Sequence, residues 1–136
     1  MLGLLLLTLS ITADNILFMD ETGFYQRQYY TRSWSPIGKP CYAKIDANKG
    51  KRLNLIGAMR LNEFKLIAPI TFEGGCNRVT VENWLHTLAQ SLPKDENGNY
   101  PKRVLVLDNA RFHHGGDLKQ IAELYNIELM YFCLLY

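Results

Sequence analysis

The sequence predicts an α/β fold in which helices pack on one mixed sheet, an antiparallel meander followed by parallel strands. Two patterns carry this prediction. A hairpin pattern occupies the middle of the chain, and buried apolar runs alternate with helical periodicity after it. Such strand–helix–strand units have parallel strands and right-handed crossovers. With 136 residues, 48% of them apolar and 21% charged, the chain is one ordinary folded domain and not a disordered polymer.

The chain begins with a strongly apolar segment, Met1 to Leu9. It is too short for a membrane helix, which needs about 20 residues. No Lys or Arg precedes Arg27, so the basic region of a secretory signal is missing. We therefore expect residues 1–14 to be an apolar leader of unclear role, arising from a truncated or mis-started reading frame, and residues 15–136 to be the folded core.

The three cysteines, Cys41, Cys76 and Cys133, are widely spaced and form no CxxC pair. This spacing supports neither a disulfide framework nor a zinc ribbon. We interpret them as reduced thiols of a cytoplasmic protein that is not bound to a membrane.

The first predicted strand is Ile16 to Met19, and it ends at Asp20. Thr22 to Phe24 is expected to terminate it. Because strand side chains alternate between faces, Asp20 and Glu21 cannot point into one site unless the strand ends or bulges there.

A basic segment follows. Residues 27–65 hold nine of the fifteen Lys and Arg residues and only two acids, a local net charge of +7. Aromatic residues lie among its first arginines: Tyr25, Tyr29, Tyr30 and Trp34. Such a segment can stack on bases and bind phosphates, or it can be a solvated surface loop; both interpretations stay open. Turns are predicted at Ser35 to Gly38 and Asn48 to Gly50, with a short strand at Tyr42 to Ile45.

The remaining elements follow from periodicity. Leu53 to Leu61 and Lys65 to Phe72 form a hairpin, with Pro69 indicating an edge strand or bulge. An amphipathic helix then runs along Val81, Trp84, Leu85, Leu88, Ala89 and Leu92. Asn77 or Thr80 caps it, Pro93 ends it, and His86 is expected at its surface. A central strand at Arg103 to Leu107, a helix from Leu118 to Tyr125 that stops at Asn126, and a strand at Ile127 to Phe132 complete the order.

Two acids stand at the ends of buried strands, Asp20 and Asp108. A carboxylate at such a position is costly unless a hydrogen-bonding neighbour or a cation pairs with it. Two carboxylates from neighbouring strands suit Mg²⁺ or Mn²⁺, the ions of two-metal phosphoryl-transfer sites. An unrelated metal-dependent hydrolase would satisfy the same pattern.

Six further motifs surround these acids. They are FMDETGF at 18–24, Trp34 with Gly38, NLIGAM at 54–59, FEGGCN at 72–77, VENWL at 81–85 and VLVLDNARFHH at 104–114. In this order the set resembles the mariner-like DDE transposases of bacterial insertion sequences, over roughly residues 15 to 132. The resemblance implies a ribonuclease-H-like core that cleaves and transfers DNA strands with Mg²⁺ or Mn²⁺, with Asp20 and Asp108 as catalytic acids and metal ligands. Its partners would be transposon ends and target DNA, in a homodimer or with an intact transposase.

The sequence departs from this family at both ends. The family's third acid is a glutamate in a motif such as PYSPDLNPIE after the final strand, but only four residues follow Phe132, none acidic. Because strand side chains alternate, Glu21 is expected on the opposite face from Asp20, and Glu128 lies within the last strand. Neither glutamate is therefore a good substitute for the third acid. The helix-turn-helix region that precedes the family's core is also missing. We expect a truncated or frameshifted core that is inactive alone; the alternative is a non-catalytic remnant that binds nucleic acid or a transposase.

Three polar residues follow Asp108. Asn109 could orient a water or bind phosphate, and His113 and His114 could contact DNA. The plainer interpretations are a cap for the following helix and a solvated loop, and we favour these. A zinc site formed by the two histidines and a cysteine lacks recognisable ligand spacing.

Overall fold

The computed structural model of the chain describes residues 11–26, 32–42 and 50–132. Within these ranges the chain forms five strands and two α-helices. The strands are β1 Ile16–Tyr25, β2 Arg52–Arg60, β3 Glu63–Glu73, β4 Arg103–Asp108 and β5 Ile127–Phe132, and the helices are α1 Arg78–Ser91 and α2 Leu118–Leu124.

The five strands make one sheet in the order β3-β2-β1-β4-β5. The pairs β1–β2 and β2–β3 are antiparallel, whereas β1–β4 and β4–β5 are parallel. The prediction of an antiparallel meander followed by parallel strands is therefore confirmed.

Both helices pack on the same face of the sheet. Leu17 on β1 and Leu105 on β4 lie in one buried cluster with Trp84 of α1 and Ile121 of α2. The alternate residues of the same strands point to the other face, where a smaller cluster of Ile16, Val104 and Val106 is joined by Ile11, Phe18 and Met130. The sheet therefore has a helix-covered face and an open face within the described residues.

Strand β1 runs from Ile16 to Tyr25, so Asp20 lies within the strand, and the expectation that the strand ends at Asp20 was wrong. Thr22 to Phe24 continue the pairing with β2, so the expectation that they end the strand was wrong. A Cβ at Gly23 would collide with the side chains of Arg52 and Asn54. The glycine therefore allows two β2 side chains to cross the strand and does not break it.

The hairpin is confirmed, and so is the interpretation of Pro69. Strand β3 is an edge strand. Ala68 and Pro69 stand opposite the single residue Gly57, which makes a β-bulge, and Ala68 adopts a left-handed φ of 47°. The indole N–H of Trp84 donates to the Ala68 carbonyl at 2.8 Å, so helix α1 holds the bulge in place.

Helix α1 begins and ends close to the predicted positions. Asn77 is the N-cap, because its Oδ1 accepts from the Thr80 backbone N–H at 3.0 Å. The helix ends at Ser91, two residues before Pro93. His86 is half-buried, with Nδ1 2.9 Å from the Tyr125 hydroxyl, so the expected surface position was wrong.

The later elements also match. Strand β5 has the predicted bounds, and Asn126 adopts a left-handed φ of 56° where α2 stops. The predicted turn at Ser35 to Gly38 lies one residue later, since the Lys39 N–H donates to the Pro36 carbonyl at 3.0 Å. The predicted strand at Tyr42 to Ile45 and turn at Asn48 to Gly50 extend into residues outside the described ranges. No helix within those ranges is long and apolar enough to cross a membrane.

Candidate active site

The strand register places Asp20 and Asp108 side by side. Phe18 on β1 pairs with Val106 on the parallel strand β4. Each aspartate lies two residues further along its strand, so continuing the register brings the two to the same level. Neighbouring strands lie about 4.8 Å apart, so by this register the two aspartates would be separated by about one strand spacing. By alternation both positions belong to the open face of the sheet, beyond the Ile16 and Val104 cluster.

The residue opposite Asp20 on the other neighbouring strand is Gly57. Directly paired residues in an antiparallel sheet project from the same face. Because Gly57 has no side chain, the space beside Asp20 stays open. A Cβ there would also press on the Leu66 side chain. The NLIGAM motif therefore supplies a gap next to the first acid.

Each aspartate has one carboxylate oxygen held by the chain. Asp20 Oδ1 accepts from the Glu21 backbone N–H at 2.8 Å. Asp108 Oδ1 accepts from the Ala110 N–H at 3.2 Å and lies 2.7 Å from His113 Nδ1. No donor among residues 11–26, 32–42 and 50–132 contacts Oδ2 of either aspartate. Asp20 is exposed and the Asp108 side chain is 61% accessible, so these two oxygens can meet a ligand.

Glu21 lies on the opposite face, as its parity predicts. It pairs with the buried residue Ile56, and its carboxylate is hydrogen-bonded to the Cys76 thiol. Burial, this hydrogen bond and the charges of Glu21 and Asp108 raise the pKa of Cys76 from 9.0 to about 12. The thiol is therefore protonated at neutral pH and donates to the carboxylate. Glu21 does not join the two aspartates.

A cleft of about 220 Å³ lies beside Glu21 on the helix-covered side. It is lined by Glu21, Thr22, Arg52, Asn54, Phe72 and Cys76. Asn54 is buried, and its side-chain N–H donates to the Gly74 carbonyl at the end of β3. This contact gives Asn54 of the NLIGAM motif a structural role, and the positive φ of 89° at Gly74 favours glycine in FEGGCN.

The loop after β4 is held together by its own side chains. His113 is only 2% exposed, so it is neither a solvated residue nor a DNA contact, and both expectations for it were wrong. His114 is exposed, with Nε2 2.6 Å from Asn109 Oδ1 and its ring stacked on Tyr131 at 4.3 Å between centroids. Asn109 does not cap α2, whose N-cap is Asp117.

Two elements outside the loop brace it. The Tyr131 hydroxyl on β5 donates to the His113 carbonyl at 2.7 Å. Glu82 on α1 accepts from the Asp117 backbone N–H at 3.0 Å. Gly116, with a φ of 62°, lies where a Cβ would strike Arg78 and Glu82. The glutamate of the VENWL motif therefore positions the segment that follows the second acid.

The carboxylates of the two aspartates have the right chemistry for a hard divalent cation, but two carboxylates do not fill its coordination shell. Carboxylate oxygens are the ligands of Mg²⁺ and Mn²⁺, and each aspartate presents one. Among the described residues no group of three or more His, Cys, Asp or Glu is placed to hold a metal. Any further ligands of an ion bound by Asp20 and Asp108 would be water, substrate oxygen or a carboxylate from elsewhere.

The sheet order and the flanking helices define a class of protein, the ribonuclease-H-like α/β domains. The sequence profile of the DDE superfamily endonuclease matches residues 15–132. The chain belongs to this family. No curated protein matches it in sequence.

Three solved structures of similar fold contain the Mos1 transposase. The Mos1 mariner paired-end complex with Mn has a TM-score of 0.67 and 20% identity, covering 93% of this chain and 39% of that chain. The Mos1 strand transfer complex has a TM-score of 0.66 and 19% identity, over 93% and 38%. The Mos1 transposase catalytic domain with raltegravir and Mn has a TM-score of 0.58 and 14% identity, over 87% and 49%. The ribonuclease-H-like fold expected from the resemblance is thereby confirmed, and the chain spans under half the length of these proteins.

Some residues around the site escaped the sequence interpretation. Gly57 and Ala110 lie within recognised motifs, but their contacts, like those of Tyr131, depend on register and long-range packing. The position of His113 in a polar run predicts that its side chain is exposed to solvent, whereas the side chain is buried. An aromatic or imidazole residue five positions after a strand-end acid is the one signal that could have drawn attention to it.

Proposed function

We propose that this chain is the catalytic core of a DNA transposase of the mariner-like group found in bacterial insertion sequences, and that Asp20 and Asp108 bind Mg²⁺ or Mn²⁺. The observation that carries the proposal is the parallel register of β1 and β4, which aligns the two aspartates on the open face. The family match over residues 15–132 supports an endonuclease activity on DNA.

In this proposal each aspartate contributes its Oδ2 to the ion while the chain holds its Oδ1. When bound, such cations would supply activation of the attacking water or hydroxyl and stabilisation of the leaving oxygen. The gap at Gly57 leaves room for the scissile phosphate beside Asp20. In the loop from Asn109 to Asp117, His113 contacts Asp108 and the Asp117 N–H donates to Glu82 on α1. These two contacts keep the loop beside the end of β4.

The +7 segment at residues 27–65 would contact the DNA backbone. Trp34 and Tyr42 are exposed, with relative accessibilities of 101% and 89%, and the exposed Arg32 and Lys39 lie on the same stretch. Exposed aromatic side chains can stack on bases, and the cations among them can bind phosphates. Pairing of transposon ends would call for a homodimer or for association with an intact transposase.

We further propose that these residues alone do not carry out strand transfer. Among the described residues no third carboxylate lies with Asp20 and Asp108, and Glu21 faces the other side of the sheet. Two carboxylates leave at least one ion of a two-metal site short of ligands. The presence of only two aligned carboxylates among the described residues favours the second candidate, a domain that binds nucleic acid or a transposase without catalysis.

A supercoiled-plasmid assay with Mn²⁺ tests the proposal. We expect no strand-transfer products from the wild-type chain, and any slow nicking should disappear in Asp108→Ala. Transfer products from this chain alone would contradict the two-acid site. Equal nicking by the wild type and Asp108→Ala would remove Asp108 from the mechanism. DNA binding without Asp108-dependent nicking would favour the non-catalytic candidate.

A further inference from the structure

We propose that His113 is a positioning residue for the second acid: it holds Asp108 Oδ1 so that Oδ2 is presented to the cation. The inference rests on the proposed role of Asp108 as a metal ligand. It assigns a specific task to a buried histidine that the proposed chemistry does not otherwise use.

The contacts of the imidazole fix where its hydrogen lies. Nδ1 is 2.7 Å from Asp108 Oδ1 and 3.0 Å from the backbone carbonyl oxygen of the same residue. A carboxylate and a carbonyl are both acceptors, so Nδ1 must carry a hydrogen and donate it. The tautomer with a bare Nδ1 would point a lone pair at two oxygens.

The ring is anchored before any ligand arrives. His113 is 2% exposed, its backbone N–H donates to the Ala110 carbonyl at 3.0 Å, and its own carbonyl accepts from the Tyr131 hydroxyl. The neighbouring His114 ring is stacked on Tyr131. The position of Nδ1 is therefore set by packing and by β5, and little conformational entropy remains to be lost on metal binding.

The consequence is a difference between the two acids. Asp108 Oδ1 accepts from two directions, the Ala110 N–H and the His113 ring, which fixes the plane of an otherwise largely exposed carboxylate. Asp20 Oδ1 has only the N–H of the next residue among the described contacts. Asp108 is thus the fixed ligand and Asp20 the adaptable one. Removing a partner that orients a metal ligand weakens metal affinity by about 10–100-fold.

Amide side chains give a matched test, because the asparagine Nδ2 falls near the imidazole Nδ1, whereas the glutamine Nε2 falls near the imidazole Nε2. We expect His113→Gln to raise the Mn²⁺ dissociation constant about 10–100-fold and His113→Asn to restore it to within about threefold of wild type. Calorimetric titration measures both, and circular dichroism establishes that each variant is folded. If His113→Gln binds Mn²⁺ as wild type does, or if His113→Asn is as weak as His113→Gln, the positioning role is wrong.

A second measurement needs no variant and no metal. Nitrogen-15 spectra of the wild-type imidazoles distinguish the two neutral tautomers, and we expect the Nδ1-protonated form for His113. The Nε2-protonated form would overturn the inference even if the variants unfold. The same titrations separate the two proposals. An unchanged Mn²⁺ affinity in Asp108→Asn would contradict the proposed function. Weakened binding in Asp108→Asn together with normal binding in His113→Gln would contradict only the role of His113.

Discussion

Asp20 is paired directly with Gly57 across the antiparallel strands β1 and β2. The first acid, which lies within β1, therefore has a neighbour without a side chain, on the face of the sheet that the described helices leave open. The second acid has a different environment, since a buried histidine and a backbone N–H hold one of its oxygens. The two acids therefore have unlike surroundings.

The gap at Gly57 predicts a graded effect of side-chain size. We expect Gly57→Val to weaken Mn²⁺ binding, because a branched side chain would fill the space beside Asp20. The expected loss is about tenfold or more, similar to the effect of removing a contact that orients a metal ligand. Gly57→Ala should have a smaller effect, since its Cβ meets mainly the flexible Leu66 side chain. Calorimetric titration of both variants measures this. Equal affinities in the wild type and Gly57→Val would show that the gap has no role.

The buried amide of Asn54 predicts a stability effect. Asn54→Ala should lower the free energy of unfolding by about 1–3 kcal/mol, because it leaves the Gly74 carbonyl without its donor. Urea denaturation gives the value. Asn83→Ala is the matched control, since Asn83 is exposed on α1 and that substitution should cost little. Similar losses in the two variants would contradict a specific role for the Asn54 contact.

The raised pKa of Cys76 predicts slow alkylation. In a Cys41→Ser/Cys133→Ser background, Cys76 should react with iodoacetamide at pH 8 at least about tenfold more slowly than Cys41 in the corresponding single-cysteine protein, because less thiolate is present. Glu21→Gln removes the negative charge and the acceptor for the thiol, so the pKa should fall and the reaction should accelerate. Since burial is the largest cause, the acceleration should be partial. No change in Glu21→Gln would contradict the Cys76–Glu21 contact, and Glu96→Gln serves as the control acid.

The basic segment predicts the salt dependence of DNA binding. Arg32→Gln and Lys39→Gln should each reduce the slope of log affinity against log salt by about 0.9 if each side chain neutralises one phosphate. Lys119→Gln, which lies on α2 outside the segment, should leave the slope unchanged. Filter binding or fluorescence anisotropy from 50 to 200 mM salt, a range over which phosphate contacts change affinity strongly, provides the measurement. A flat salt response of the wild type would exclude the segment as a phosphate-contacting surface.

The sequence predicted most of the architecture, because periodicity reports which residues are buried. Helix α1 and strands β4 and β5 were recognised from their apolar patterns, and Pro69 correctly indicated the bulge on the edge strand. The end of β1 was misjudged because glycine usually interrupts strands, whereas Gly23 stays paired and admits the side chains of Arg52 and Asn54. Local pattern does not show which distant side chain will need that space.

The site was predictable only in part for a related reason. The position of charge after apolar runs correctly indicated that Asp108 ends its strand, whereas Asp20 lies within β1. The environment of His113 could not be predicted in this way, because it depends on Tyr131 arriving from β5 and on packing against the rest of the fold. A polar run such as DNARFHH looks solvated when only its own residues are considered. Contacts with Tyr131 of β5 and Glu82 of α1 hold this segment as an ordered loop.

The most direct test of the central claim is Mn²⁺ binding by the wild-type chain, Asp20→Asn and Asp108→Asn, measured by calorimetric titration, with Glu96→Gln as the control for loss of a remote acid. We predict that each aspartate variant binds Mn²⁺ at least about tenfold more weakly than the wild type, because either substitution removes a charged oxygen ligand. Glu96→Gln should bind as the wild type does. Wild-type affinity in Asp20→Asn or Asp108→Asn would contradict a cation shared by the two acids.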